Sequence, residues 1–392
     1  MFSEKLIRAG WMIDGSSVRA QQNVLIRIKD GFFQEIQPFS SGKMPPSAFS
    51  DLSGCTLLPT LADAHVHLIM SGTADQDRRK QQLNERFKQV RETISVHLKQ
   101  LIAHGVLAVR DGGDKKGYTQ RYKNSFLEGK ESSICLHVAG KAWYKLGRYG
   151  SFVGRALKRG TLAAGVMRES HGIDHVKIIQ SGLNSLRCFG EESRPQFPLK
   201  ALREGVEAAS ALGLKTMVHA NGVVPVQIAL EAGCSSIEHG FFMGMKNLLY
   251  MADRQVFWVP TAGTMKAFAE HARGREKERL MALRNLEHQL AQMGAARRLG
   301  VPIALGTDSG SMGVHHGSAL IEELQLLLDA GFSIEEAIKC ASFNNASLMG
   351  LDRKGLIKKG MRADFVAVKG SPSALPESLK DIFCIHVGDR FL

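Results

Sequence analysis

The stretch that decides the fold is Pro59-Thr60-Leu61-Ala62-Asp63-Ala64-His65-Val66-His67-Leu68, an apolar run that ends among a carboxylate and two imidazoles. Taken with the residues before it as a strand over Leu57–Leu68, it is the first of eight similar segments. The others are Val106–Arg110, Ile134–Ala139, His175–Gln180, Lys215–His219, Ser236–His239, Val256–Pro260 and Pro302–Gly306. Each closes in a polar or glycine-containing turn, and amphipathic stretches such as Pro198–Leu212 and Val223–Ala232 separate several of them. Strands alternating with helices specify an α/β fold with a parallel sheet covered by helices. Eight such units favour a (β/α)8 TIM barrel, expected over residues 58–345. The flanks have a different texture. LIRAGWMIDG and NVLIRIKDGFFQEI at one end, and GLIKKGMRADFVAVKG and IFCIHVG at the other, read as short strands. Residues 1–57 and 346–392 are therefore expected to pair into one small β-sandwich-like domain, because chain termini often lie close together.

Composition narrows the class. Apolar residues make up 44% of the 392 positions and charged residues 23%, a mix that excludes a disordered or fibrous protein. Lys and Arg outnumber Asp and Glu by 51 to 38, giving a net charge of +13. That excess bears on solubility and encounter rather than fold. It is concentrated in Thr73–Lys99 and Lys266–Arg298, where both signs mix and aromatic interleaving is absent, so both read as solvated helix surface rather than a nucleic-acid face. Cys55, Cys135, Cys188, Cys234, Cys340 and Cys384 form no C-x-x-C pair and read as reduced thiols. The opening MFSEKLIRAGWMIDG is charged where a signal peptide would be apolar, and no apolar run is long enough to span a membrane. A cytoplasmic protein is expected, acting on a small molecule without nucleic acid or membrane; self-association is left open.

The chemistry sits at the strand ends. Residues i and i+2 of a strand share a face, so His65 and His67 are expected to project together into the barrel mouth. An isolated H-x-H carries little weight, but the pattern recurs: Lys177 lies inside HVKIIQ, His219 ends the fifth strand, His239 the sixth, and Asp308 follows the eighth. Barrel sites are assembled from strand ends. Four imidazoles and a carboxylate meeting there suit zinc or a first-row neighbour.

These residues resemble the metal-dependent amidohydrolase superfamily, over nearly the whole chain. The resemblance is carried by PTLADAHVHL, VKII, VHANG, IEHG and GTDSG, and by GSALIEELQLLLDAGFSIEEAIKCASFNNASLMGL followed by KGLIKKGMRADFVAV. Within the superfamily it is nearest to imidazolonepropionase-related and prolidase-like hydrolases. In binuclear members the strand-four lysine combines with carbon dioxide as a carbamate, which turns a repelled cation into a bridging ligand. The resemblance thus implies two divalent metal ions, most simply zinc: His65, His67 and Asp308 on one, His219 and His239 on the other, with carboxylated Lys177 and a hydroxide between them. It further implies hydrolysis of a C–N amide bond (in a dipeptide, an N-acyl amino acid or a cyclic amide), with Asp308 relaying the proton to the leaving amine.

Two departures narrow the reading. Gly222 stands where mononuclear deaminases of the superfamily carry a glutamate, and Lys177 sets the chain apart from mononuclear imidazolonepropionases proper. Asn221 replaces a tyrosine frequent in prolidase-like relatives, and Gly147-Arg148-Tyr149-Gly150 occupies the place of their Gly-Gly-His-Gly loop. Asn221, Tyr149 and His316 are the expected substrate contacts, the first two because each lies just past a mouth-forming strand and His316 because it follows Asp308 in a glycine-containing loop, placed to bind a substrate carboxylate. Arg110-Asp111 is expected to form an internal salt bridge. The alternatives are a lactone or phosphoester hydrolase with the same metals and, from another class, a noncatalytic binding relative.

Overall fold

A computed structural model describes residues 4–40, 49–129 and 132–392. Positions 1–3 and 41–48 of the expected N-terminal flank, and 130–131, lie outside the described residues. Every residue of the strands Leu61–Val66, Val106–Asp111, His175–Ile179 and Ser236–His239 is buried. That is the signature of parallel strands covered on both faces, in place of the in–out alternation of a half-exposed sheet.

The parallel strands fall into two hydrogen-bonded sheets. Leu61–Val66, Val106–Asp111 and Cys135–Val138 form one; Phe257–Val259, Ser236–His239, Lys215–Ala220, His175–Ile179, Ala142–Lys145 and Gly154–Leu157 form the other. The third expected strand joins them. It bends at Gly140, pairing with Val106–Asp111 before the bend and with His175–Ile179 after it, through Ile178 opposite Trp143. The eighth expected strand, Pro302–Gly306, is not a ladder strand. It makes an isolated bridge from Ile303 to Trp258 on one side, and just past its end Ser309 bridges to Val66 on the other. Backbone bonds such as Trp258 N to Pro302 O at 3.0 Å and Ala64 N to Leu305 O at 2.9 Å accompany these bridges, and a side chain adds to them: Asp63 Oδ2 accepts from Thr307 Oγ1 at 2.6 Å and its Oδ1 from the Thr307 backbone N–H at 3.0 Å. The sheets therefore stop short of a continuous ring. Gly306 permits the close approach, since a Cβ there would stand 2.5 Å from Val259 Cγ1 and 3.0 Å from the His65 nitrogen.

The first expected strand divides at Thr60. Phe49–Pro59 belongs to a different sheet and runs past the expected boundary at 57, while Leu61–Val66 joins the parallel system. That second sheet has seven strands and draws on both ends of the chain. Its order is Arg390–Phe391, Ile382–Val387, Phe365–Lys369, Phe49–Pro59, Glu4–Met12, Gln21–Lys29, Phe32–Pro38. Ile7, Ile26, Phe33, Leu57 and Phe365 form its apolar core.

The two charged insertions are helical, at Gln76–Asn84 with Phe87–Ala103, and at Gly263–His271 with Glu276–Leu299. The Glu276–Leu299 helix reaches inward: Gln289 Nε2 donates to His239 O at 2.6 Å, fixing the turn that carries that histidine. Among the described residues no helix is long and apolar enough to cross a membrane.

Candidate metal centre

Four histidines, a lysine and an aspartate bound a cavity of about 330 Å³: His65, His67, Lys177, His219, His239 and Asp308. Adjacent strands bring them together in register, with His219 opposite Glu238 and Ala220 opposite His239. The ring centres of His219 and His239 are 4.5 Å apart, those of His65 and His239 5.0 Å, and those of His65 and His67 5.4 Å. Asp308 Oδ1 lies 3.4 Å from His67 Nε2 and 3.7 Å from His65 Nε2, and Lys177 Nζ lies 3.4 Å from His65 Nε2.

Each imidazole is held by one ring nitrogen. His65 Nδ1 donates to Glu238 Oε2 at 2.8 Å, His67 Nδ1 to Gly113 O at 3.2 Å, and His219 Nε2 to Gly182 O at 3.0 Å. Carbonyl and carboxylate oxygens only accept, so these nitrogens carry the protons; the opposite nitrogens keep their lone pairs, that of His65 facing Lys177 Nζ. His239 Nδ1 bonds to Thr261 Oγ1 at 2.6 Å. Such anchoring by outer partners is how metal-binding imidazoles are oriented. His239, Thr261 and Asp308 have φ of 67°, 47° and 56°, a left-handed conformation costly for side-chain-bearing residues and concentrated at functional sites.

Burial sets the charge states. It pushes His67 down to about 4 and His219 to about 3, aided in both by the positive charge of Lys177, and holds His65 and His239 well below the usual imidazole range. All four are thus neutral near pH 7, the form that binds metal. Burial lifts Asp308 to about 7 against the opposing pull of Lys177, and lowers Lys177 to about 8 against Glu238 and Asp308. His65, His67 and Asp308 offer donor atoms all within 4.8 Å of one another. The donor set of neutral nitrogens, a carboxylate and an amine able to become a carbamate fits divalent metal ions of the zinc type.

The expected substrate contacts divide. Tyr149 lines the cavity, its ring 5.4 Å from that of His219. Asn221 also lines it, but its amide is engaged: Oδ1 accepts from Phe241 N at 3.1 Å and Nδ2 donates to Gly182 O at 3.3 Å. His316 does not reach the cavity. It is buried, stacked on His97 at 4.0 Å, with ring nitrogens bonded to Ser309 Oγ and Met70 O at 2.9 Å each. The carbonyl and hydroxyl there hold the ring in a structural role.

Three further residues were not anticipated. Glu238 is fully buried and receives Arg110 NH2 at 2.8 Å as well as His65. Arg110 therefore pairs with Glu238 and not with Asp111, which accepts instead from the backbone of Leu68 and Gly113. The signal was present, since a glutamate inside a buried strand needs a partner. Gly112 passes so close that a Cβ would meet His67 Cε1 at 2.7 Å and His65 Nε2 at 3.3 Å. Arg79, from the charged insertion, lines the cavity with the predicted ligands.

An α/β body with a four-histidine, lysine and aspartate mouth at its strand ends defines a class, and the family comparison agrees. The amidohydrolase family model matches residues 56–388, and the chain belongs to that family. It is 30% identical to ochratoxinase of Aspergillus niger over 210 residues, which cover 51% of this chain and 42% of that protein. It is 28% identical to imidazolonepropionase of Alkaliphilus oremlandii over 177 residues, 43% of this chain and 37% of that one. The chain thus matches less than half the length of these curated relatives. Among solved structures it is similar to a Xaa-Pro dipeptidase with methionine bound in its active site, with a TM-score of 0.82, 25% identity and 100% of both chains covered.

Proposed function

We propose that this protein is a binuclear metal-dependent hydrolase of C–N amide bonds, its site at the mouth of a (β/α)8 barrel. His65, His67 and Asp308 would hold one divalent ion, most simply zinc, and His219 and His239 the other, with Lys177 shared between them as its carbamate. The observation that carries the reading is the anchoring of four neutral imidazoles by one nitrogen each, around the same cavity as Asp308 and Lys177. Lys177 is buried and makes no carboxylate ion pair among the described residues, so the amine is available for carbamate formation.

Bound metal ions supply Lewis-acid polarisation of a carbonyl and acidify water. Asp308 supplies the proton traffic. Ser311 Oγ donates to its Oδ2 at 3.0 Å, leaving Oδ1 on the side of His65 and His67 to take a proton from the attacking water and pass it to the leaving nitrogen. Tyr149 and the apolar side chains around it, Phe152 and Ile179 among them, exclude bulk water and give a substrate its apolar contact.

The test is a panel of N-acyl amino acids, dipeptides, cyclic amides, lactones and phosphotriesters, assayed with zinc-loaded protein and again after chelation. Chelator-sensitive amide turnover is the expected outcome. Faster lactone or phosphotriester turnover would move the assignment to that bond class, and activity indifferent to chelation would overturn the metal reading.

A further inference from the structure

The half-buried Arg79 is the one cation other than Lys177 among the residues lining the cavity. It stands on the Gln76–Asn84 helix, which the loop after the first parallel strand leads into. Its NH1 donates to Gly310 O at 3.1 Å and to Thr73 O at 3.3 Å. Those two loop carbonyls fix the guanidinium in place without neutralising it. Among the described residues it makes no ion pair, and its Nε and NH2 make no hydrogen bond. Partial burial disfavours its charge, and the nearby Asp308 carboxylate offsets this only in part. A partly desolvated guanidinium with unused donors is a costly arrangement that a carboxylate relieves, because the planar fork matches a carboxylate in bidentate fashion.

Its position within the cavity gives that carboxylate an address. Arg79 is bonded to Gly310, two residues past Asp308, and lines the cavity together with His67, Asp308 and Ser311, so it stands at the end of the site where Asp308 would protonate the leaving nitrogen. Much of the remaining wall is apolar, with Leu183, Leu186, Phe241, Met265 and Phe268, and its polar members Asn184, Asn221, Thr264 and Ser311 are uncharged. A free α-ammonium on the acyl half would find no carboxylate along that wall beyond Asp308.

Resting on the amide-hydrolase reading, we propose that Arg79 is a specificity residue that pairs with the α-carboxylate of the leaving amino acid. The preferred substrates are then N-acyl amino acids with an apolar acyl group, ahead of dipeptides and cyclic amides.

Two matched pairs test this. N-hexanoyl-L-leucine and its carboxamide report turnover; N-(hexylsulfonyl)-L-leucine and its carboxamide, which resist hydrolysis, report binding by calorimetric titration. Zinc-loaded wild type should favour the acid over the carboxamide by about 30–100-fold in kcat/KM, expressed chiefly in KM, and by at least about tenfold in Kd. Arg79→Met should bring both ratios close to one, and Arg79→Lys should restore part of each. Unchanged ratios in Arg79→Met, or no acid preference in wild-type binding, would overturn the role of Arg79 whatever the activity. Acid-selective binding that depends on Arg79, with no turnover of either amide, would uphold the carboxylate site and refute the hydrolase reading instead.

Discussion

Replacing Glu238 by Gln separates two tasks that one carboxylate performs. Glu238 is fully buried, receiving Arg110 NH2 at 2.8 Å and His65 Nδ1 at 2.8 Å. The amide keeps the shape and removes the charge, leaving the 2%-exposed Arg110 guanidinium without its counter-ion. Breaking a buried pair from one side costs about 3–5 kcal/mol. At about 2.1 cal/mol/K per residue, a chain of 392 residues unfolds near 60 °C with an entropy of about 0.8 kcal/mol/K, so Tm should fall by about 4–6 °C. With its one oxygen turned to Arg110, the amide presents NH2 to His65 Nδ1, so His65 loses the acceptor that fixes its tautomer, and loss of such an outer partner costs about 10–100-fold in metal affinity. Scanning calorimetry reads the first effect and chelator competition the second. Adding Arg110→Met removes the stranded charge and frees the amide oxygen to turn to His65, so the double variant should recover much of the lost Tm and part of the lost zinc affinity. A Glu238→Gln protein that melts within about 1 °C of wild type and binds zinc equally well would refute the reasoning.

Three other outcomes are expected. Asp308→Asn should lower kcat by about 10²–10⁴-fold while metal remains on the other ligands, and wild-type turnover in that variant would remove Asp308 from the proton relay. Glu323, buried with Oε1 accepting from Gly263 N at 2.7 Å, is raised by burial to about 8. A carboxyl raised on folding contributes stability that is complete below its unfolded value, near 4.5, and is lost as pH climbs through about 8. Glu323→Gln should therefore match wild type at pH 4.5 and exceed it at pH 9 by on the order of 1 kcal/mol or more in denaturant melts; a constant difference across that window would count against it. Gly112→Ala places a methyl group against His65 and His67, so it should strip zinc while circular dichroism still reports the folded chain; full metal occupancy would show that the rings can move aside.

The parallel strands were legible in the sequence because polar residues interrupt otherwise apolar runs at their ends; five of the six predicted ligands lie at or just past such ends, and Lys177 lies within its strand. Segment boundaries were less legible. Apolar character continues through Leu57, Leu58, Pro59 and Leu61, although the chain changes sheets there. Pro302–Gly306 reads as a strand by composition, yet it pairs only through isolated bridges, supplemented by Asp63–Thr307 hydrogen bonds that no periodicity encodes. Arg79 was hidden for a different reason. Its neighbours Asp77, Arg78 and Lys80 pattern the segment as a solvated face, and only the path of the loop turns one arginine inward. His316 is the converse case: a histidine in a glycine-containing loop after Asp308 reads as a substrate contact, but its ring is buried between Ser309 and Met70. Position in the chain reports which residues are near a strand end, and packing decides which way they face.

The central claim is that Lys177 completes a site for a pair of cations. Elemental analysis of protein purified from zinc-supplemented culture without chelators, set beside Lys177→Met prepared identically, tests it most directly. The account predicts about two zinc ions per wild-type chain and no more than about one in the variant. A wild-type chain holding less than one, or a variant that still holds two, would contradict it.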